Sequence, residues 1–154
     1  MSQTLQSFLA GQMAGVADEL VAALNRLPAD KRTIVPMGKA RSAMHQMAEC
    51  ALLAGASVDM LVAKAWTMSD DFTEYETAKA KLEVDEAACL ALLKENVAKL
   101  VETIKSYPTE DLDVTIPMPW GPQTCAEVAA YSYWNMYYHQ GQINYIASMY
   151  GCLD

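Results

Sequence analysis

Basic side chains are scarce in this sequence and nowhere clustered. Eleven Lys and Arg stand against 19 Asp and Glu in 154 residues, a net charge of −8. A surface that neutralises a phosphate backbone needs the opposite balance, so nucleic-acid binding is excluded. Long apolar runs are missing too, the longest falling well short of the roughly 18 residues that span a bilayer. The opening "MSQTLQSFLAGQMAG" has no basic stretch of the kind that precedes a signal-peptide core. The expectation is a cytoplasmic protein that does not enter a membrane. No C-x-x-C pair, nucleophile elbow, phosphate-cradling glycine loop or dinucleotide fingerprint occurs. Cys50, Cys89, Cys125 and Cys152 are widely spaced, which suits buried or half-buried free thiols in a reducing compartment.

What is abundant is core material. Hydrophobic residues make up 53% of the chain and charged residues 19%, enough to fold and too apolar for disorder. The length predicts one domain spanning residues 1–154. From Leu5 to Leu27 apolar residues recur at helical intervals, until Pro28 and "ADKRTIVPMGK" interrupt them. A second helix starts near Ala40–Ser42 and runs to about Trp66. "TMSDDFTEYETAKAKLE" is polar and acidic, and reads as a long connection with at most a turn of helix. A third helix covers about Val84 to Ser106. "DLDVTIPMPWGPQ" carries three prolines, so it is expected to be extended but not a central strand. The fourth helix opens with Thr124 and Glu127 in a T-x-x-E capping box, runs to about Tyr150 and has Gly151 as its stop. Four helices without a convincing strand pair predict an all-α four-helix bundle.

The inward stripe of the fourth helix reads Val128, Tyr131, Asn135, Tyr138/His139, Gln142, Ile146, Met149. Its polar members lie between apolar ones. Asn135 and His139 are four apart, hence neighbours at roughly 6 Å, and His45 lies in the first turns of the second helix. A histidine on a buried face is ordinarily a hydrogen-bonded core residue. Two imidazoles and an amide oxygen could also hold a divalent ion, although Asn is a poorer ligand than His for zinc or nickel. Glu49, one turn after His45, either orients that ring or is a solvated acid. Glu127 is explained by its cap. The many tyrosines of this helix cannot all face one core, so some line a pocket or a subunit interface. The ten methionines suit adaptable packing or a pocket for an apolar ligand.

The run "MPWGPQTCAEVAAYSYWNMYYHQGQINYIASMYG", with His139-Gln140-Gly141-Gln142 and a final Gly151, resembles the last third of the DinB/YfiT-like bundle proteins. "GKARSAMHQMAECALLAG", with Ser42 and His45, is similar to that family's second helix, and the likeness extends over essentially the whole chain. The resemblance implies up-down-down-up connectivity, a homodimer, and a divalent ion held by one histidine of the second helix and an H-x-x-x-H pair of the fourth. Characterised members include thiol S-transferases and a thiol-dependent isomerase, in which the ion lowers the pKa of a low-molecular-weight thiol. Carried over, the metal site is His45, Asn135 and His139, with Asn135 where the family has a histidine.

Two functions follow as expectations. One is a metal-dependent enzyme acting through a small thiol, with a zinc- or nickel-type ion at the altered site. The other is a metal-free dimeric bundle that binds an apolar small molecule and catalyses nothing. Convergence of the three side chains on one metal position favours the first; direct hydrogen bonds among them favour the second.

Overall fold

Each of the four long helices starts where a side-chain oxygen accepts a hydrogen bond from an otherwise orphaned backbone N–H. The computed structural model describes residues 3–69 and 71–153. Its helices are α1 (Leu5–Arg26), α2 (Ala43–Ala63), α3 (Thr73–Glu83), α4 (Glu86–Ser106) and α5 (Cys125–Met149). Thr4 and Ser7 form a capping box at α1, Ser42 caps α2, Asp85 caps α4, and Thr124 with Glu127 forms the box at α5. At the far end of α5 the chain turns through Gly151 at φ 69°. There Gly151 N donates to Ser148 O and Cys152 N to Ala147 O, the paired closure that favours glycine. The protein is predominantly helical, in agreement with the all-α reading.

Two segments differ from the sequence reading. The acidic connection after α2 contains a full three-turn helix, α3. Its inward positions are Tyr75, Ala78, Lys79 and Leu82, with Lys79 buried. A lysine on the buried stripe hides the apolar period, and packing of α3 on α2 supplies what local pattern does not. Further on, the extended segment does pair. Thr115–Ile116 (β1) and Gln123–Thr124 (β2) form an antiparallel ladder with Thr115 opposite Thr124. Prolines at 117, 119 and 122 stop it at two residues per strand.

α1 and α2 each pack against both α4 and α5 and scarcely touch one another. The enclosed core includes Met13, Leu20, Leu24, Met47, Met60, Leu61, Leu100 and Met136, all essentially inaccessible. Each such side chain contributes about 1.5–3 kcal/mol by leaving water. Polar contacts fix the register. Ser57 and Ser132 share a buried 2.9 Å hydrogen bond between α2 and α5. Asn96 of α4 donates to Ala51 O of α2 at 2.9 Å, and a Cβ on Gly55 would lie 2.8 Å from that same Asn96 amide nitrogen. α2 has the length and hydropathy of a membrane span when averaged over a window rather than counted as an unbroken run, but 56% of that window is buried inside the protein. That burial is the property of a core helix.

The buried face of α5 is rotated from the expected stripe. Val128, Asn135, His139 and Ile146 are buried as anticipated, whereas Tyr131 and Gln142 are half-buried and Tyr138 and Met149 exposed. Ala129, Ser132, Met136, Ile143 and Ala147 take the inner positions. Small side chains there let α5 approach α1 and α2 closely, and the bulky rings move to the outer flank.

Candidate functional site

The α2–α5 interface places a carboxylate against an imidazole in the interior. His139, with no exposed side-chain surface, has Nε2 2.9 Å from Glu49 Oε1. Asn135, one turn earlier, donates Nδ2 to the same oxygen at 3.2 Å, and Arg41 pairs with the other carboxylate oxygen. Burial opposes the charge on Glu49, yet the hydrogen bond from His139, the charges of His139 and Arg41, and the bond from Asn135 outweigh it. The carboxyl is held down at about 2.

The other side of the His139 ring meets oxygens as well. Nδ1 lies 3.1 Å from Gln46 Oε1 and 2.9 Å from Gln142 Oε1. Gln46 is oriented by its own amide nitrogen, which donates to Arg41 O at 3.2 Å. Oxygens therefore stand at both nitrogens of the ring. Asn135 is equally engaged, its Oδ1 accepting from the buried Cys50 thiol at 3.3 Å.

His45 has a different partner. Its Nδ1 is 3.3 Å from Glu83 Oε2 of α3, and Ser42 Oγ donates to Glu83 Oε1 at 2.7 Å. Of the three residues singled out in the sequence, Asn135 and His139 therefore share Glu49, while His45 belongs to a neighbouring network. In this arrangement the Asn135 oxygen faces Cys50, both His139 nitrogens face oxygens, and His45 faces Glu83. A metal-binding imidazole needs a free lone pair, so the donor set as placed does not fit an ion without rearrangement. Among the described residues no group of three or more His, Cys, Asp and Glu side chains is placed to hold a metal.

Two cavities open on either side of this network. One of about 270 Å³ is lined by Glu49 and Asn135 together with Trp66, Phe72, Tyr75, Trp120, Tyr131 and three methionines. Its rings contact each other, Trp66 standing edge-on to Trp120 at 5.3 Å between centroids. Trp66 Nε1 is buried without a hydrogen-bond acceptor among the described residues. Burial, reinforced by the Glu49 carboxylate, raises the pKa of Tyr75 and of Tyr131, so both stay neutral hydroxyls. The other cavity, about 580 Å³, lies between the 36–41 loop and the C-terminal half of α5 and includes Arg41, Gln46 and Gln142.

The residue that sequence reasoning underweighted is Glu49, considered only as a partner of His45 or a solvated acid. A signal existed: α2 carries just two carboxylates, Glu49 and Asp59, in an otherwise apolar helix. Gln46 was not identifiable without the tertiary contact, whereas Gln142 stood on the stripe as read, three residues after His139. No family model and no curated protein matches the chain.

Proposed function

We propose that this protein is a DinB/YfiT-like bundle that binds an apolar small molecule in the cavity beside Glu49 and Asn135, without a metal and without catalysis. The observation that carries this reading is that both ring nitrogens of His139 and both ends of the Asn135 amide meet protein groups. His139 and Asn135 each satisfy the other network members and leave no lone pair directed at a common point. The aromatic and methionine walls supply the apolar contact.

Up-down-down-up connectivity is supported by how contacts progress along the helices. Partners rise together between α1 and α5 (Gln12 with Tyr133, Arg26 with Asn144) and between α2 and α4 (Ala51 with Asn96, Leu61 with Tyr107). They run oppositely between α2 and α5 (Glu49 with His139, Ser57 with Ser132). Homodimerisation belongs to the same proposal, and four free cysteines suit a reducing cytoplasm.

A second reading is favoured by one fact: the network sits at the positions where the resemblance puts a metal. It makes the protein a thiol S-transferase or thiol-dependent isomerase, with a zinc- or nickel-type ion held by His45, Asn135 and His139. Metal analysis of protein made without a polyhistidine tag separates the two. Substoichiometric metal that does not rise on incubation with zinc or nickel supports the first; one equivalent per chain selects the second. Titration of the metal-free protein with acetophenone, a neutral aromatic with one acceptor oxygen, completes the test. Saturable quenching of tryptophan fluorescence, weakened by Trp66→Phe, is expected; no saturation overturns the binding reading.

A further inference from the structure

We propose that the larger cavity, on the far side of His139 from the aromatic one, is a binding site for a small organic anion: a carboxylate with an apolar tail. The chain carries a net charge of −8, yet the lining of this cavity holds Lys39 and Arg41 and no carboxylate. With Arg41 paired to Glu49, Lys39 supplies the positive charge at this cavity left unpaired among the described residues, which favours anions there.

The hydrogen-bonding capacity is equally one-sided. Arg41 uses Nη1 for Glu49, and its remaining guanidinium donors have no protein acceptor among the described residues. Lys39 is exposed and forms no salt bridge among the described residues. Gln142 turns its amide oxygen to His139 Nδ1, which leaves its amide nitrogen as a donor. The acceptors at this end of the network are thus consumed by the His139 ring and the donors are left over. An ammonium, a guanidinium fork and an amide N–H match a carboxylate, and charge-assisted bonds of this kind are the strong ones.

The rest of the lining is apolar. Pro36, Met37, Ile146 and Met149 face the same space, with Met37 and Met149 substantially exposed for unpartnered methionines. A volume of about 580 Å³ accommodates a small molecule. The aromatic cavity lacks this character, because Glu49 and Glu76 offset Lys79 there. The two sites therefore select different chemistry, and the anion site stands whether or not the aromatic cavity binds a neutral ligand.

The test is calorimetric titration of the full-length, chelator-treated protein with octanoate and, separately, 1-octanol. Octanoate is expected to bind about tenfold more tightly than the alcohol, the size of one charge-assisted interaction. Exchange of the exposed Lys39→Glu is expected to remove most of that preference by weakening octanoate far more than octanol. Amide chemical-shift changes with octanoate should map to residues 36–41 and 138–149. Equal affinity for the two probes, no heat with millimolar octanoate, indifference to Lys39→Glu, or shifts confined to the aromatic cavity would each overturn the proposal. Failure of the acetophenone titration leaves this result untouched, so the two readings fail separately.

Discussion

Nε2 of His139 and Oε1 of Glu49 lie 2.9 Å apart across the α2–α5 interface, one of them fully enclosed. That pair gives Asn135 a meaning it lacks in the sequence. An amide there donates to the carboxylate with one end and accepts from Cys50 with the other. An imidazole also donates and accepts, but from nitrogens on opposite edges of a ring rather than from the two arms of one amide.

The Glu49 carboxyl makes stability pH-dependent in one direction. Its folded pKa of about 2 lies below the ordinary 4.5, so its contribution is complete above pH 4.5 and lost as pH falls from there toward 2. Glu49→Gln is expected to be less stable than the wild type near neutrality. The gap should shrink by about 2–3 kcal/mol as the pH is lowered through that window. Urea melts of both proteins from pH 6 to about pH 2 measure it; a gap that stays constant would show that Glu49 gains nothing from its charge.

Asn135→His recreates the H-x-x-x-H spacing on α5. Zinc affinity of the tag-free variant is expected to rise by an order of magnitude or more over the wild type, because a second imidazole adds a strong donor one turn from His139. Competition titration against a chromogenic chelator reads the difference. Equal affinities would mean that the surrounding carboxylate and amides, rather than residue 135, decide metal binding.

Ser57 and Ser132 form an isolated buried hydroxyl pair. Ser57→Ala or Ser132→Ala alone strands one hydroxyl and is expected to cost about 1–3 kcal/mol. The double variant should cost less than the sum of the singles, since no polar group is left unpaired. Chemical denaturation of the four proteins gives the coupling; strict additivity would place a third partner at one of the hydroxyls.

Thiol reactivity should separate one cysteine from three. Cys50, Cys89 and Cys125 are buried and Cys152 is only half-buried. Burial raises the Cys50 thiol well above its ordinary range, and Cys89 to about 11, by disfavouring the thiolate. Under native conditions a disulfide reagent is expected to modify Cys152 first, with the others following only on unfolding. Rapid native loss of a second thiol would reveal an opening of the α2–α5 or α2–α4 interface.

The long helices were legible because each announces itself locally. Ser42, Asp85 and Thr124 cap, the apolar period of α1 and α4 is regular, and Gly151 stops α5. α3 was not legible, since Lys79 occupies its buried stripe and its support comes from α2. The rotation of α5 was equally hidden. A helix containing Trp134, Tyr137, Tyr138 and Tyr145 does not reveal by pattern that Ala129, Ser132, Met136, Ile143 and Ala147 belong to its contact face. Asn135 and His139 stood out as polar residues between apolar ones, a one-dimensional signal. Their partners Glu49 and Gln46 became apparent only when two helices were laid side by side, for hydrogen bonds across an interface leave no spacing in the chain, whereas Gln142, three residues after His139, already stood on the stripe.

The fit of Asn96 over Gly55 acts as a detent. Sliding α4 along α2 by one turn would set the Asn96 amide against Ala51 or Asp59, where a Cβ already fills the space and the Ala51 carbonyl is out of reach. The sliding is thereby reduced to a single allowed stop. The stop holds α2 against α4 alone; the height at which Glu49 meets His139 belongs to the α2–α5 contact, where Ser57 bonds Ser132, so the glycine and the serine pair lock two different neighbours of one helix.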